Sequence, residues 1–242
     1  MRPMSGSLPP VQFGPGPMTT AVRAILIANV AVFVVSLFAG PAIRQTFGLV
    51  PAAVLTDGRV WQPFTYLFVH AASVGHILFN MLAVWMFGVE LERRWGTSFF
   101  TKYYMVCGVG AGLCTIAASL LPFGAAAYYI PTVGASGAVY GLLLAWALLY
   151  PNRQILFMFL FPLPARVFVA IIGAVAFFSA LGESGSTVSN VAHLGGLAVG
   201  WLYLKGPRDL RLAWQYRLSR WRMNRLRKRF NVHQGGRNDR VH

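Results

Sequence analysis

Apolar residues run almost unbroken over about Ala21–Phe38, Ser73–Val89, Phe99–Leu121, Gly134–Tyr150, Ile155–Leu181 and Val188–Leu204. Runs near or above about 18 apolar residues predict membrane spans. The pattern therefore predicts an all-α membrane protein, a bundle of six transmembrane helices, over residues 21–204. The fifth run is broken by Pro162 and Pro164, so its spanning helix is expected to start near Pro164. Residues 1–20, rich in Pro and Gly, read as a disordered lead. The first run precedes Ala39-Gly40 and so resembles a cleavable leader. Its length, and Pro41 after the small residues, favour a retained span.

The segments between the runs are also patterned. Residues 40–72 place Trp61, Phe64, Tyr66 and Phe68 among scattered polar groups, which suits a membrane interface. Glu90, Glu92, Arg93 and Arg94 are expected to end the second span, and Tyr150-Pro151-Asn152-Arg153 the fourth. With both termini inside, the inside segments hold Arg2, Arg23, Arg93, Arg94, Lys102, Arg153, Arg166 and the C-terminal tail. The outside segments hold Arg44 and Arg59. That asymmetry predicts cytoplasmic termini. The segment before Ser136 and the segment before His193 then both face outside.

Charge changes this picture only at the end of the chain. The net charge is +15, yet only 11% of residues are charged, against about 25% in a soluble domain. The positive charge flanks the apolar runs or lies after Leu204, which argues for membrane topology and against nucleic-acid binding. In residues 205–242, Leu210, Trp214, Leu218 and Trp221 recur at helical spacing among arginines. Two readings stay open: a basic amphipathic helix on the inner membrane surface, touching lipid, or a solvated tail that fixes orientation. Cys107 and Cys114 share one apolar run and suggest neither a disulfide framework nor a metal site. No cofactor motif is evident.

Polar groups inside apolar runs are costly and normally face the bundle interior. His76 and Asn80, four residues apart, share a helical face. Ser136, in Gly134-Ala135-Ser136-Gly137, follows a Pro- and Gly-containing loop over Leu121–Val133 and should open a helix. The backbone donors of a first helical turn have no intrahelical partner and can face negative charge. A hydroxyl there needs a base to become a nucleophile. His193, in Asn190-Val191-Ala192-His193-Leu194-Gly195-Gly196, offers one. Gly196 and Gly200, and the patch Gly108–Gly112, suit close helix contact.

Together these residues resemble the rhomboid intramembrane serine proteases. His76-Ile77-Leu78-Phe79-Asn80 is similar to the family's His-x-x-x-Asn segment, Gly134-Ala135-Ser136-Gly137 to its Gly-x-Ser-Gly motif, and Ala192-His193-x-x-Gly196-x-x-x-Gly200 to its last-helix motif. The resemblance covers about residues 21–204 and implies a six-transmembrane-helix bundle of the rhomboid type. It implies a Ser136–His193 dyad, Tyr140 stacked on His193, and an oxyanion hole made by His76, Asn80 and the Ser136 backbone N–H. No Asp or Glu lies inside a span, in keeping with a dyad. Glu92 and Arg94 match a structural Glu-x-Arg segment, and Asn190 a polar position before the histidine. The implied substrates are single-span membrane proteins. The chain departs from the family in carrying Trp61-Gln62 where Trp-Arg is frequent, which puts the anchoring of the first connection in doubt. It reads as the minimal core, without a sizeable soluble N-terminal domain, and as a prokaryotic plasma-membrane protein rather than a mitochondrial one.

Each polar residue alone has a plainer explanation. Ser136 alone would satisfy a helix terminus, His76, Asn80 and His193 would bond between helices, and Tyr140 would pack. Their joint order favours the protease. Two other classes remain: a catalytically silent rhomboid-like protein that binds membrane proteins, and a transporter. The first typically lacks the serine or the histidine. The second leads one to expect paired intramembrane charges or a broken-helix repeat, and neither is evident. His70 lies near an interface and is assigned no catalytic role.

Overall fold

The computed structural model describes residues 14–121, 128–157, 161–181 and 190–206, together with 223 and 225. The chain divides into two compact units, residues 1–203 and 204–242. Residues 182–189, leading into the last apolar run, and the tail apart from isolated positions, lie outside the described residues.

Helices dominate. Among the described residues, three are long and apolar enough to cross a membrane: α1 (Thr20–Ala39), α5 (Val74–Trp95) and α6 (Thr97–Ser119). Helices α7 (Ser136–Leu149) and α8 (Ala165–Leu181) are shorter and equally apolar. A further helix, α9, covers residues 190–206. The connection after α1 folds into three short helices, α2 (Pro41–Phe47), α3 (Pro51–Thr56) and α4 (Gln62–Thr65). Each carries a proline in its first two positions, where the missing N–H costs nothing.

Two stretches differ from expectation. Helix α5 runs past Val89 to Trp95, because its charged end is satisfied by neighbours rather than by water. Glu90 accepts hydrogen bonds from Trp146 Nε1 (2.9 Å) and Arg153 Nη1 (2.7 Å). Glu92 accepts from the N–H groups of Ala21 (2.9 Å) and Val22 (3.0 Å), and from the hydroxyls of Thr19 and Thr97. A carboxylate from α5 thus caps the first turn of α1, where unpaired donors and the helix dipole favour negative charge. Arg93 donates to the carbonyls of Pro15 and Pro17, which holds residues 15–17 of the lead against α5. The second difference lies in the fifth apolar run. Its start is a hairpin of β1 (Gln154–Phe157) and β2 (Phe161–Pro164), antiparallel with Ile155 opposite Leu163. Helix α8 begins after Pro164, as the prolines predict.

Small residues let the core close. A Cβ on Gly196 of α9 would fall well inside contact distance of the Gly137 carbonyl of α7. A Cβ on Gly200 would lie 3.3 Å from Gly141 Cα and 2.6 Å from the Tyr103 hydroxyl, which donates to the Gly141 carbonyl (2.8 Å). On α6, Gly108 and Gly112 receive Leu67 and Tyr66, and Gly110 receives Val199 of α9. The backbones of α7 and α9 therefore touch, with α6 beside both.

Candidate active site

The glycine contacts bring the starts of α7 and α9 together. Ser136 is the first residue of α7, and its Oγ lies 2.9 Å from Nε2 of His193. The hydroxyl donates when that nitrogen is unprotonated. His193 is buried. Its ring lies parallel to that of Tyr140, one turn along α7, with centroids 4.3 Å apart and planes 4° apart. The described carboxylates are engaged elsewhere: Asp57 with Thr56 and Arg59, Glu90 with Trp146 and Arg153, and Glu92 with α1. Among the described residues, the group packed on the His193 ring is thus an aromatic face, not a carboxylate.

The segment before Ser136 is fixed by the connection between α1 and α5. Leu49 and Thr132 exchange backbone hydrogen bonds (2.9 and 2.8 Å), and Gly134 N–H donates to the Tyr66 carbonyl (3.0 Å). Gly134 has φ +116°, a conformation that side chains disfavour. A Cβ there would also lie 2.8 Å from His76 Nε2 and 3.9 Å from Asn80 Nδ2. So His76 and Asn80 meet the backbone two residues before Ser136, on the side of α7 where unpaired N–H groups collect. Asn80 Nδ2 donates one hydrogen to the His76 carbonyl (2.9 Å), leaving the other. The structure thus brings Ser136, His193, Tyr140, His76 and Asn80 into one place.

The segments with His76, Ser136 and His193 all fall within one sequence pattern. Residues 57–206, more than half of the chain, match the family model described as the Rhomboid domain. The chain belongs to the rhomboid family. Among similar proteins are RHOMBOID-like protein 12, mitochondrial, of Arabidopsis thaliana, 29% identical over 74% of this chain and 55% of that protein. Rhomboid protease GluP of Bacillus subtilis is 32% identical over 64% of this chain and 27% of that protein. Rhomboid protein 1, mitochondrial, of Saccharomyces cerevisiae is 36% identical over 53% and 36%. The chain spans about half the length of these relatives, or less. Rhomboid membership and the apolar helices make it an integral membrane protein.

Three residues near this rhomboid site, named above for other reasons, have partners that the sequence did not indicate. Gln62, the departure from Trp-Arg, is fully buried. Its Oε1 accepts from Val50 N–H (2.9 Å) and its Nε2 faces the carbonyls of Gln45 (3.2 Å) and Thr46 (3.3 Å). A neutral amide thus anchors the connection. Tyr66 holds Gly134 by its carbonyl and bonds the Gly108 carbonyl by its hydroxyl (2.6 Å). His70 lies against His76, ring centroids 5.2 Å apart. Burial foremost, and His76 beside it, lower the His70 pKa to about 4, so this ring is neutral. The signal for all three is long-range pairing, which one sequence does not display.

Proposed function

We propose that the chain is a serine endopeptidase that cleaves single-span membrane proteins within or next to their transmembrane segment. The observation that carries this reading is the 2.9 Å approach of Ser136 Oγ to His193 Nε2 beneath the Tyr140 ring. His193 takes the hydroxyl proton as Ser136 Oγ attacks the scissile carbonyl carbon. The resulting oxyanion is met by His76 Nε2, Asn80 Nδ2 and the Ser136 N–H, donors worth about 10²–10³ in rate each. His193 then passes its proton to the leaving amine, and water, activated by the same base, releases the acyl group from Ser136. The protein relatives and the presence of both serine and histidine favour this over a silent binding protein.

The architecture we propose is six spans, α1 and α5–α9, within residues 21–204, preceded by a short lead and followed by the basic tail. Helix α7 has 14 residues. At 1.5 Å per residue it rises about 21 Å, less than a hydrocarbon core of about 30 Å. Its far end meets Arg153 and Glu90, charged groups suited to an interface. The serine end therefore sits below the opposite surface, in a recess that water must reach. The basic residues favour cytoplasmic termini; which membrane holds the chain is a separate matter, since the similar proteins include mitochondrial ones. Reporter fusions at each terminus test that orientation.

The deciding experiment is cleavage of a single-span reporter in liposomes. The wild-type protein cuts it and Ser136→Ala does not, and a serine-reactive fluorophosphonate labels only the former. Full cleavage by Ser136→Ala would end the protease reading.

A further inference from the structure

The turn between α4 and α5 holds a histidine that the proposed chemistry leaves unused. His70 is only 1% exposed. Its Nδ1 lies 3.4 Å from the Phe68 carbonyl, a weak contact, and its buried Nε2 has no hydrogen-bond partner among the described residues. A buried nitrogen left unpaired lowers stability. The nitrogen is therefore not what the site gains from this side chain. What remains is the ring, which meets the His76 ring at an interplanar angle of 63°. Aromatic pairs favour that edge-to-face arrangement.

His76 needs such a neighbour. Among the described residues its imidazole makes no hydrogen bond; its backbone N–H donates to the Ser73 carbonyl (3.1 Å) and its carbonyl accepts from Asn80. The torsion that turns a histidine ring is broad, so the chain itself does not fix the ring plane. Yet an oxyanion donor acts only when held in advance at hydrogen-bonding distance from the developing charge. Two surfaces confine the ring: the Gly134 backbone facing Nε2, and His70.

We propose that His70 is a positioning residue for His76, its ring holding the His76 imidazole with Nε2 turned toward Gly134. The inference rests on the reading of His76 as an oxyanion donor. His70 touches no substrate and acts through its neighbour. A phenyl ring at position 70 preserves the contact, whereas a leucine of similar bulk offers no aromatic edge or face.

The test is a double-mutant cycle on the full-length protein in liposomes, read as kcat and KM for the membrane-embedded reporter, with thermal unfolding recorded alongside. His70→Leu lowers kcat by about tenfold to a hundredfold, the scale of a small displacement of a reacting group, and leaves KM unchanged. His70→Phe keeps the wild-type kcat and melts no lower than wild type, since the unpaired nitrogen is gone. In a His76→Ala background, His70→Leu brings no further loss of kcat. A His70→Leu protein with wild-type kcat, a His70→Phe protein as slow as the leucine variant, or an undiminished loss in the His76→Ala background each overturns the proposal. Should His70→Leu fail to fold, the phenylalanine variant still decides. Ser136→Ala separates the two levels: activity surviving there defeats the protease reading, whereas a dead Ser136→Ala beside a fully active His70→Leu defeats this inference alone.

Discussion

A hydroxyl and an imidazole in contact form one chemical unit, so the loss of either removes most of what both supply. Ser136→Ala, His193→Ala and the double variant are expected to lose reporter cleavage to a similar, near-complete extent. Rates that multiply instead would show two independent contributions and contradict the dyad. Gly134 offers a sharper test, because its positive φ and the 2.8 Å gap to His76 Nε2 act together. Gly134→Ala must strain the backbone before Ser136, the proposed nucleophile, and push on His76, the proposed oxyanion donor. Its kcat is expected to fall by at least about tenfold, with fluorophosphonate labelling slowed and KM little changed. A wild-type kcat would show that the His76 side of this recess is not where the charge develops. At this scale the sequence was legible wherever chemistry repeats a local spacing: Ser136 with its glycines, His76 with Asn80, and Tyr140 one turn past the serine. His70 and Gln62 stayed hidden because their roles depend on partners brought up by the irregular connection, where no periodicity indicates which side chain is buried.

Helices hold these residues through two kinds of contact, small-residue packing and a cross-helix cap. Gly196 abuts the Gly137 carbonyl, so even a methyl group there must separate α9 from α7. Gly196→Ala is expected to lower cleavage by more than about tenfold and to lower the melting temperature, with Gly196→Val worse on both counts. A Gly196→Ala protein with wild-type turnover would mean that the Ser136–His193 approach does not depend on this contact. Glu92 holds the other end of the bundle, its carboxylate accepting from Ala21, Val22, Thr19 and Thr97. Glu92→Gln replaces one acceptor oxygen with a donor facing other donors, and is expected to cost about 2 kcal/mol of stability. Thermal unfolding measures it, and a wild-type melting temperature would contradict the capping role. The apolar runs made the helices legible to within a few residues. They misplaced the end of α5 because charge there reads as a stop signal, whereas Glu90 and Glu92 are satisfied by hydrogen bonds from Trp146, Arg153, Thr97 and the start of α1. The hairpin before α8 was hidden for a related reason: an apolar strand pair and a broken apolar helix have the same composition.

For the whole molecule, the proposed function raises the question of how a membrane-embedded peptide bond would reach Ser136. Inside a transmembrane helix that carbonyl is already hydrogen-bonded, so the substrate must unwind locally next to a wet site. The bundle must therefore open sideways somewhere, and its packing favours α8. This helix is seated by small residues, Ala165 and Ala176, with Val169, while Phe177 and Phe178 are 50% and 70% exposed and touch each other. Beside it lies an apolar groove of about 630 Å³, lined by Leu144, Val169, Gly173, Leu197 and Trp201, so α8 is not tightly sealed against α7 and α9. Tightly interlocked glycine contacts join α6, α7 and α9 instead, and separating α7 from α9 would pull Ser136 away from His193. Helix α8 is thus the element that can move at least cost, and the gap between α5 and α8 is the expected path. Phe177→Ala or Phe178→Ala, which thins the outer edge of α8, is expected to maintain or raise cleavage of a membrane-embedded reporter. An engineered disulfide joining α5 to α8 should abolish that cleavage and restore it on reduction. Fluorophosphonate labelling of Ser136 should persist in the crosslinked protein, because a small probe needs only the aqueous recess. Cleavage of the embedded reporter at the wild-type rate in the crosslinked state would rule out passage between these two helices.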